Sequence, residues 1–162
     1  MDAAPATPKD RPLTIAVGLT TVFLLFPLGV LFMVGWLLAT IALHLALLAL
    51  WLPRGRRVLF VYSDNPRWKP YLDAHVVPRL PKNAVVLDWS ARARWSPFSL
   101  GVCLFRMWSG ARDFNPMAIV VRPWWSPKLF RFFGAFDDLA HGRPEPLRQI
   151  EASLFAEIGA RS

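Results

Sequence analysis

Five residues stand where chemistry could be done. Ser63 and Asp64 follow the run Val58-Leu59-Phe60-Val61-Tyr62, Asp88 and Ser90 follow Ala84 to Leu87, and Arg122 follows Met117 to Val121. Each run is short, rich in β-branched or aromatic residues and bounded by turn residues, the pattern of a buried strand. In open α/β sheets, ligands bind beyond the carboxyl ends of the strands. Two carboxylates and an arginine at one such edge would suit a metal–phosphate or a polarised substrate, so Asp64, Asp88 and Arg122 are the candidate catalytic residues. The same side chains also have plainer uses. Asp64 can cap the following helix, Asp88 can pair with Arg122, and the serines can belong to turns.

Other chemistries lack their residues. There is no G-x-G-x-x-G and no G-x-x-x-x-G-K-[ST], so no nucleotide cradle is expected and no cofactor is implied. One cysteine, Cys103, and three histidines, His44, His75 and His141, are scattered, so no metal site is expected. Cys103 and His75 fall on separate apolar helical segments, and a buried structural thiol is the reading.

Tryptophan beside arginine is the most distinctive pattern. Arg67-Trp68-Lys69, Trp89 to Trp95 with Arg92 and Arg94, Arg106 with Trp108, and Arg122 with Trp124-Trp125 all show it. Three uses fit: core indoles with guanidinium groups stacked on them, a surface lying on anionic headgroups, or stacking platforms for single-stranded nucleic acid. Nucleic acid is disfavoured because a membrane tether restricts access.

These residues are held by an alternation of strands and helices. After the first strand, Ser63-Asp64-Asn65-Pro66 is turn chemistry and an N-cap for a helix through Trp68, Tyr71, Leu72, His75 and Val76, ended by Pro78 and Pro81. The second strand follows, making a β-α-β unit with parallel strands. Ser96-Pro97 predicts the start of a second helix running to about Trp108, with Gly110 as its stop. Residues 128–136 read as either helix or strand, and Pro144 to Ile158 as an amphipathic helix. The expected fold is a small three-layer α/β domain with a mostly parallel short sheet. Val58 to Tyr62 followed by Ser63-Asp64 resembles the opening strand of TIR-type signalling domains. The resemblance covers seven residues, none stands for that family's catalytic Glu, and no activity is carried over.

Upstream lies Leu13 to Leu52, forty residues without Asp, Glu, Lys or Arg. A hydrocarbon core of about 30 Å takes about 20 helical residues, and this run is twice that. A transmembrane hairpin of two helices is expected, with its turn near residues 27–35 at Pro27-Leu28-Gly29 or Gly35. The alternative is one span with a buried or interfacial extension. His44 is the one titratable residue inside the run, and a neutral bond across a helix pair is its expected role. Residues 1–12 read as a disordered cytoplasmic tail, 13–52 as the anchor and 53–162 as the soluble domain.

Charge orients the arrangement. Lys9 and Arg11 cancel Asp2 and Asp10, so the net +8 lies beyond the anchor, as seventeen Lys/Arg against nine Asp/Glu. Arg54, Arg56 and Arg57 follow the run and Trp51 closes it, the expected membrane-surface set. The soluble domain is expected in the cytoplasm, held at the inner (plasma) membrane by a multi-pass anchor. The bilayer and its anionic headgroups are the expected partners, with a protein partner in the membrane possible on the same grounds. A basic interaction or regulatory module is the preferred function. The alternative is a membrane-anchored enzyme acting on a phosphate-bearing or lipid-derived substrate at the strand edge.

Overall fold

Val58–Tyr62 forms β1, and four of its five residues are buried, because both of its faces are covered. Side chains alternate along a strand, so the two faces feed two cores. Phe60 joins Leu72, Val76, Phe132, Phe136, Leu147 and Leu154 on one side. Leu59 and Val61 join Leu47, Trp51, Leu104 and Phe105 on the other. The computed structural model describes residues 11–110, 115–123 and 126–160, with side chains from residue 25 onward. Most of the tail expected over 1–12 therefore lies outside the described residues. Arg11 and Pro12 open the first helix.

The element order begins with α1, Arg11–Ala46, continued by a widened π turn, Leu47–Trp51, and a 3-10 turn, Leu52–Arg54. β1 leads into α2, Lys69–Tyr71, which also loosens into a π turn, Leu72–Val76, and a 3-10 turn, Val77–Arg79. β2, Val85–Asp88, is followed by a 3-10 segment, Trp89–Arg94, and by α3, Leu100–Trp108. β3 is Met117–Val120 and β4 is Lys128–Arg131. Two helices close the chain, α4, Phe133–Ala140, and α5, Glu145–Gly159. The stretch that reads as helix or strand is thus both: a strand to Arg131, then a helix.

The sheet has four strands in the order β2-β1-β3-β4. β1 and β2 are parallel, as the crossover through α2 requires. β3 runs antiparallel to β1 and β4 antiparallel to β3, so the sheet is mixed, not mostly parallel. The cause lies between β2 and α3. Trp95 Nε1 donates to the Asp88 carbonyl oxygen at 3.1 Å, so the chain is still at the carboxyl end of β2 there. A Cβ on Gly101 would lie 3.5 Å from Val85 and 3.6 Å from Leu59, at the other end of the same strands. The chain therefore crosses back before α3 begins. α3 then returns it towards the carboxyl end, where Phe105 meets Trp89 and Trp95, and β3 must start from there. α3 accordingly opens at Leu100, not at Pro97.

The chain divides into two units, residues 1–42 and 43–162, and the division falls shortly before the end of α1. In the first unit, Leu25, Phe26, Leu31, Phe32, Met33 and Leu38 are exposed apolar side chains. Thr40 Oγ1 donates to the Trp36 carbonyl oxygen at 2.8 Å, which satisfies its hydroxyl within the helix. One helix in the described residues, Leu25–Arg54, is long and apolar enough to cross a membrane. The expected hairpin turn is absent. Pro27 lies inside α1 without ending it, and α1 runs on through Gly29 and Gly35.

The reason is how the forty residues are used. Leu43, Leu47 and Trp51 are buried against the second face of the sheet, so the last stretch of the run is core. Fully burying a leucine stabilises by about 1.5–3 kcal/mol, enough to hold this stretch on the sheet. What remains, residues 13–42, would be roughly 45 Å long at about 1.5 Å per residue, near one bilayer with its headgroups.

Candidate functional site

Asp64 and Asp88 are brought to one edge, as their positions after parallel strands require. β1 and β2 pair with Tyr62 opposite Asp88. The backbone N–H of Asp64 donates to Ser90 Oγ at 2.9 Å, and the Ser90 N–H donates to Asp88 Oδ1 at 2.8 Å. Asp88 thereby caps the 3-10 segment after its strand. Asn65, not Asp64, closes the turn that leads into α2, whose N-cap, Trp68, makes no side-chain cap bond. Asn65 Oδ1 accepts from Arg67 N–H at 2.9 Å, and the Asn65 carbonyl oxygen accepts from Lys69 N–H at 3.0 Å. Asp64 is left to pair with Lys69 Nζ at 3.2 Å.

Lys69 also reaches Asp73 at 3.1 Å, one helical turn on, and Tyr62 Oη donates to Asp73 Oδ1 at 2.7 Å. The Tyr62 bond, followed by Lys69, lowers the Asp73 carboxyl below its ordinary range. Burial, followed by Asp73, raises the Tyr62 phenol. The two carboxylates raise the Lys69 ammonium further. The Lys69–Asp73 spacing was the one sign of this cluster in the sequence. Chemically it is a closed set of ion pairs.

Arg122 is absent from this edge. In the antiparallel register Val58 faces Val120, and the Val121 N–H donates to the Arg57 carbonyl oxygen at 2.8 Å. Arg122 therefore lies at the amino end of β1, opposite to Asp64 and Asp88. There it donates from Nε and Nη2 to both oxygens of Glu157, at 3.1 and 2.9 Å, and Lys128 Nζ joins at 3.0 Å. The three candidate catalytic residues share no site, and Asp88 does not pair with Arg122. Glu157 had no local signal, because its partners lie on other elements.

The membrane-surface set also divides. Trp51 is buried, 5% exposed, and belongs to the core instead of an interface. Arg54 Nη1 donates to the Leu50 carbonyl oxygen at 2.6 Å and closes the end of the helix. Arg54 and Arg56 are exposed, and Arg57 is half-buried beside a cleft of about 360 Å³ with Gly55, Asn83 and Glu157 in its walls. His44 Nε2 lies 3.1 Å from the Pro123 carbonyl oxygen, so its partner is the β3–β4 connection rather than a second membrane helix. Trp124 and Trp125 lie outside the described residues.

Of the described tryptophans of the domain, Trp68 is buried in the core, and Trp89, Trp95 and Trp108 are half-buried against it. Trp68 is 5% exposed, and the neighbouring Arg67 pairs with Asp137 at 2.6 Å instead of stacking on it. Trp89, Trp95 and Phe105 form a cluster with ring centroids 5.4–5.7 Å apart. The Arg92 guanidinium sits over the Trp89 ring at 5.1 Å. Beyond them opens a second cavity, of about 280 Å³.

Of the remaining titratable groups, Cys103 Sγ lies 3.3 Å from the Pro97 carbonyl oxygen and His75 packs on Tyr71 at 4.7 Å, so they form no nucleophile–base pair. Burial, followed by Glu151, pushes the Tyr71 phenol up to about 12. No group of His, Cys, Asp and Glu suited to a metal ion occurs among the described residues. No family model, curated protein or solved structure matches this chain.

Proposed function

We propose that the chain is a single-span membrane protein that presents a small cationic α/β domain at the cytoplasmic face of the plasma (inner) membrane. The domain serves as an interaction or regulatory module. One observation carries the reading: α1 combines a long, uncharged, exposed apolar stretch with an end buried in the domain core. A soluble protein has no cover for such a stretch, and a bilayer supplies it.

The flanks favour a cytoplasmic domain. Arg54, Arg56 and Arg57 follow the apolar run, against Lys9 and Arg11 before it, and Lys/Arg near membrane ends stay inside. With one span the N-terminus lies on the other side. Exposed arginines close to the surface attract anionic headgroups by about 1 kcal/mol each.

The experiment is alkaline carbonate extraction of membranes, combined with reporter fusions at both ends. Retention in the pellet, with a cytoplasmic C-terminal reporter and an external N-terminal one, is expected. Release into the supernatant would refute membrane insertion, and two cytoplasmic reporters would refute the single span.

A further inference from the structure

We infer that the cavity beyond β2 is a binding site for a small phosphate monoester with a flat apolar body. The site belongs to the folded domain and stands whether or not the membrane reading holds. It lies past the carboxyl end of a strand in a parallel pair, where α/β sheets place ligands. Trp89, Trp95 and Phe105 make its apolar wall, and Arg92, Arg106 and Ser109 bring polar groups to it.

Three observations select the ligand. Arg92 and Arg106 are exposed guanidinium groups, and among the described residues neither meets a carboxylate. Among the described residues, Arg92 meets the Trp89 ring and makes a long 3.4 Å bond to the Trp89 carbonyl oxygen. Two positive charges match a phosphate monoester, which carries roughly −1.5 to −2 at neutral pH. Ser109 is 7% exposed, and its hydroxyl makes one long bond, 3.4 Å to the Gly110 carbonyl oxygen, so it has a donor to redirect. The aromatic wall offers edges and faces to a planar ring. At about 280 Å³ the space takes a molecule of one or two rings at most.

No carboxylate, histidine or cysteine lines this cavity among the described residues.

The probe is phenyl phosphate, titrated by ligand-observed NMR against the full chain in nanodiscs of neutral lipid. Inorganic phosphate and benzyl alcohol are the comparison ligands. Phenyl phosphate is expected to bind at least about tenfold tighter than either, since it engages both halves of the site, and tenfold corresponds to one modest added interaction. Arg106→Gln should weaken it about tenfold and Arg92→Gln similarly, for loss of one charge-assisted bond. Lys82→Gln, which removes a surface charge near the other end of β2, should leave it unchanged. Both arginines are exposed, so these variants keep the fold. Equal binding of phenyl phosphate and benzyl alcohol, or equal effects of Arg106→Gln and Lys82→Gln, would overturn the site. Binding of a short single-stranded oligonucleotide without phenyl phosphate binding would overturn it as well.

Discussion

Replacing Leu47 with alanine tests whether the end of the apolar run is core. Leu47 is fully buried, 0% exposed, among Leu59, Val61, Leu104 and Ile119. Removing three buried carbons at about 0.8 kcal/mol each costs about 2.4 kcal/mol, and the cavity left behind raises this to about 3 kcal/mol. With a urea slope of about 1.5 kcal/mol/M for a domain of this size, the unfolding midpoint should fall by about 2 M. The assay is urea unfolding of the full chain in nanodiscs, followed by near-ultraviolet circular dichroism of the packed aromatic rings. Leu31→Ala is the control, because Leu31 is 68% exposed and lies in the other unit. Its midpoint should stay within about 0.3 M of the parent, as surface changes usually do. The reasoning is refuted if Leu47→Ala moves the midpoint no more than Leu31→Ala does.

Glu157→Gln leaves Arg122 and Lys128 facing a neutral amide. It should cost about 2 kcal/mol in the same assay, less than a fully buried pair because Lys128 remains half in water. Asn65→Ala should cost about 1 kcal/mol for the lost turn bond to the Arg67 N–H, whereas Asp64→Ala should cost less than half of that; the reverse order would make Asp64 the residue that fixes this turn. Both tyrosines should resist alkaline titration. Their folded values lie above the unfolded value of about 10, so their contribution is whole below pH 10 and is lost as pH rises towards the folded values, about 12 for Tyr71. A tyrosinate absorbance curve with a midpoint near 10 in the folded chain would contradict this.

What the sequence made legible was local. The strands at 58–62, 85–88 and 117–120 are built on short apolar runs, and each is a strand. The stop at Gly110 follows from its positive φ of 72°, which a side chain would resist. Strand direction was not legible, because the alternation of strands and helices is the same whether or not a connection crosses the sheet twice. That second crossing, through residues 89–99, separates Arg122 from the two aspartates. Nor did hydropathy distinguish lipid from protein as the cover for Leu43 to Leu52, since a leucine in either environment reads the same.

The antiparallel third strand and the burial of Leu43, Leu47 and Trp51 in the core therefore have a common consequence. Both shift the interest of the molecule from the strand-edge carboxylates to the second face of the sheet. Leu43, Leu47 and Trp51 lie on that face, and so do Leu104 and Phe105 of α3. Phe105 is also a wall of the aromatic cavity, and Gly101, four residues earlier on the same helix, sits against Trp51. α3 is thus packed at one end on the continuation of α1 and lines the Arg92–Arg106 cavity at the other.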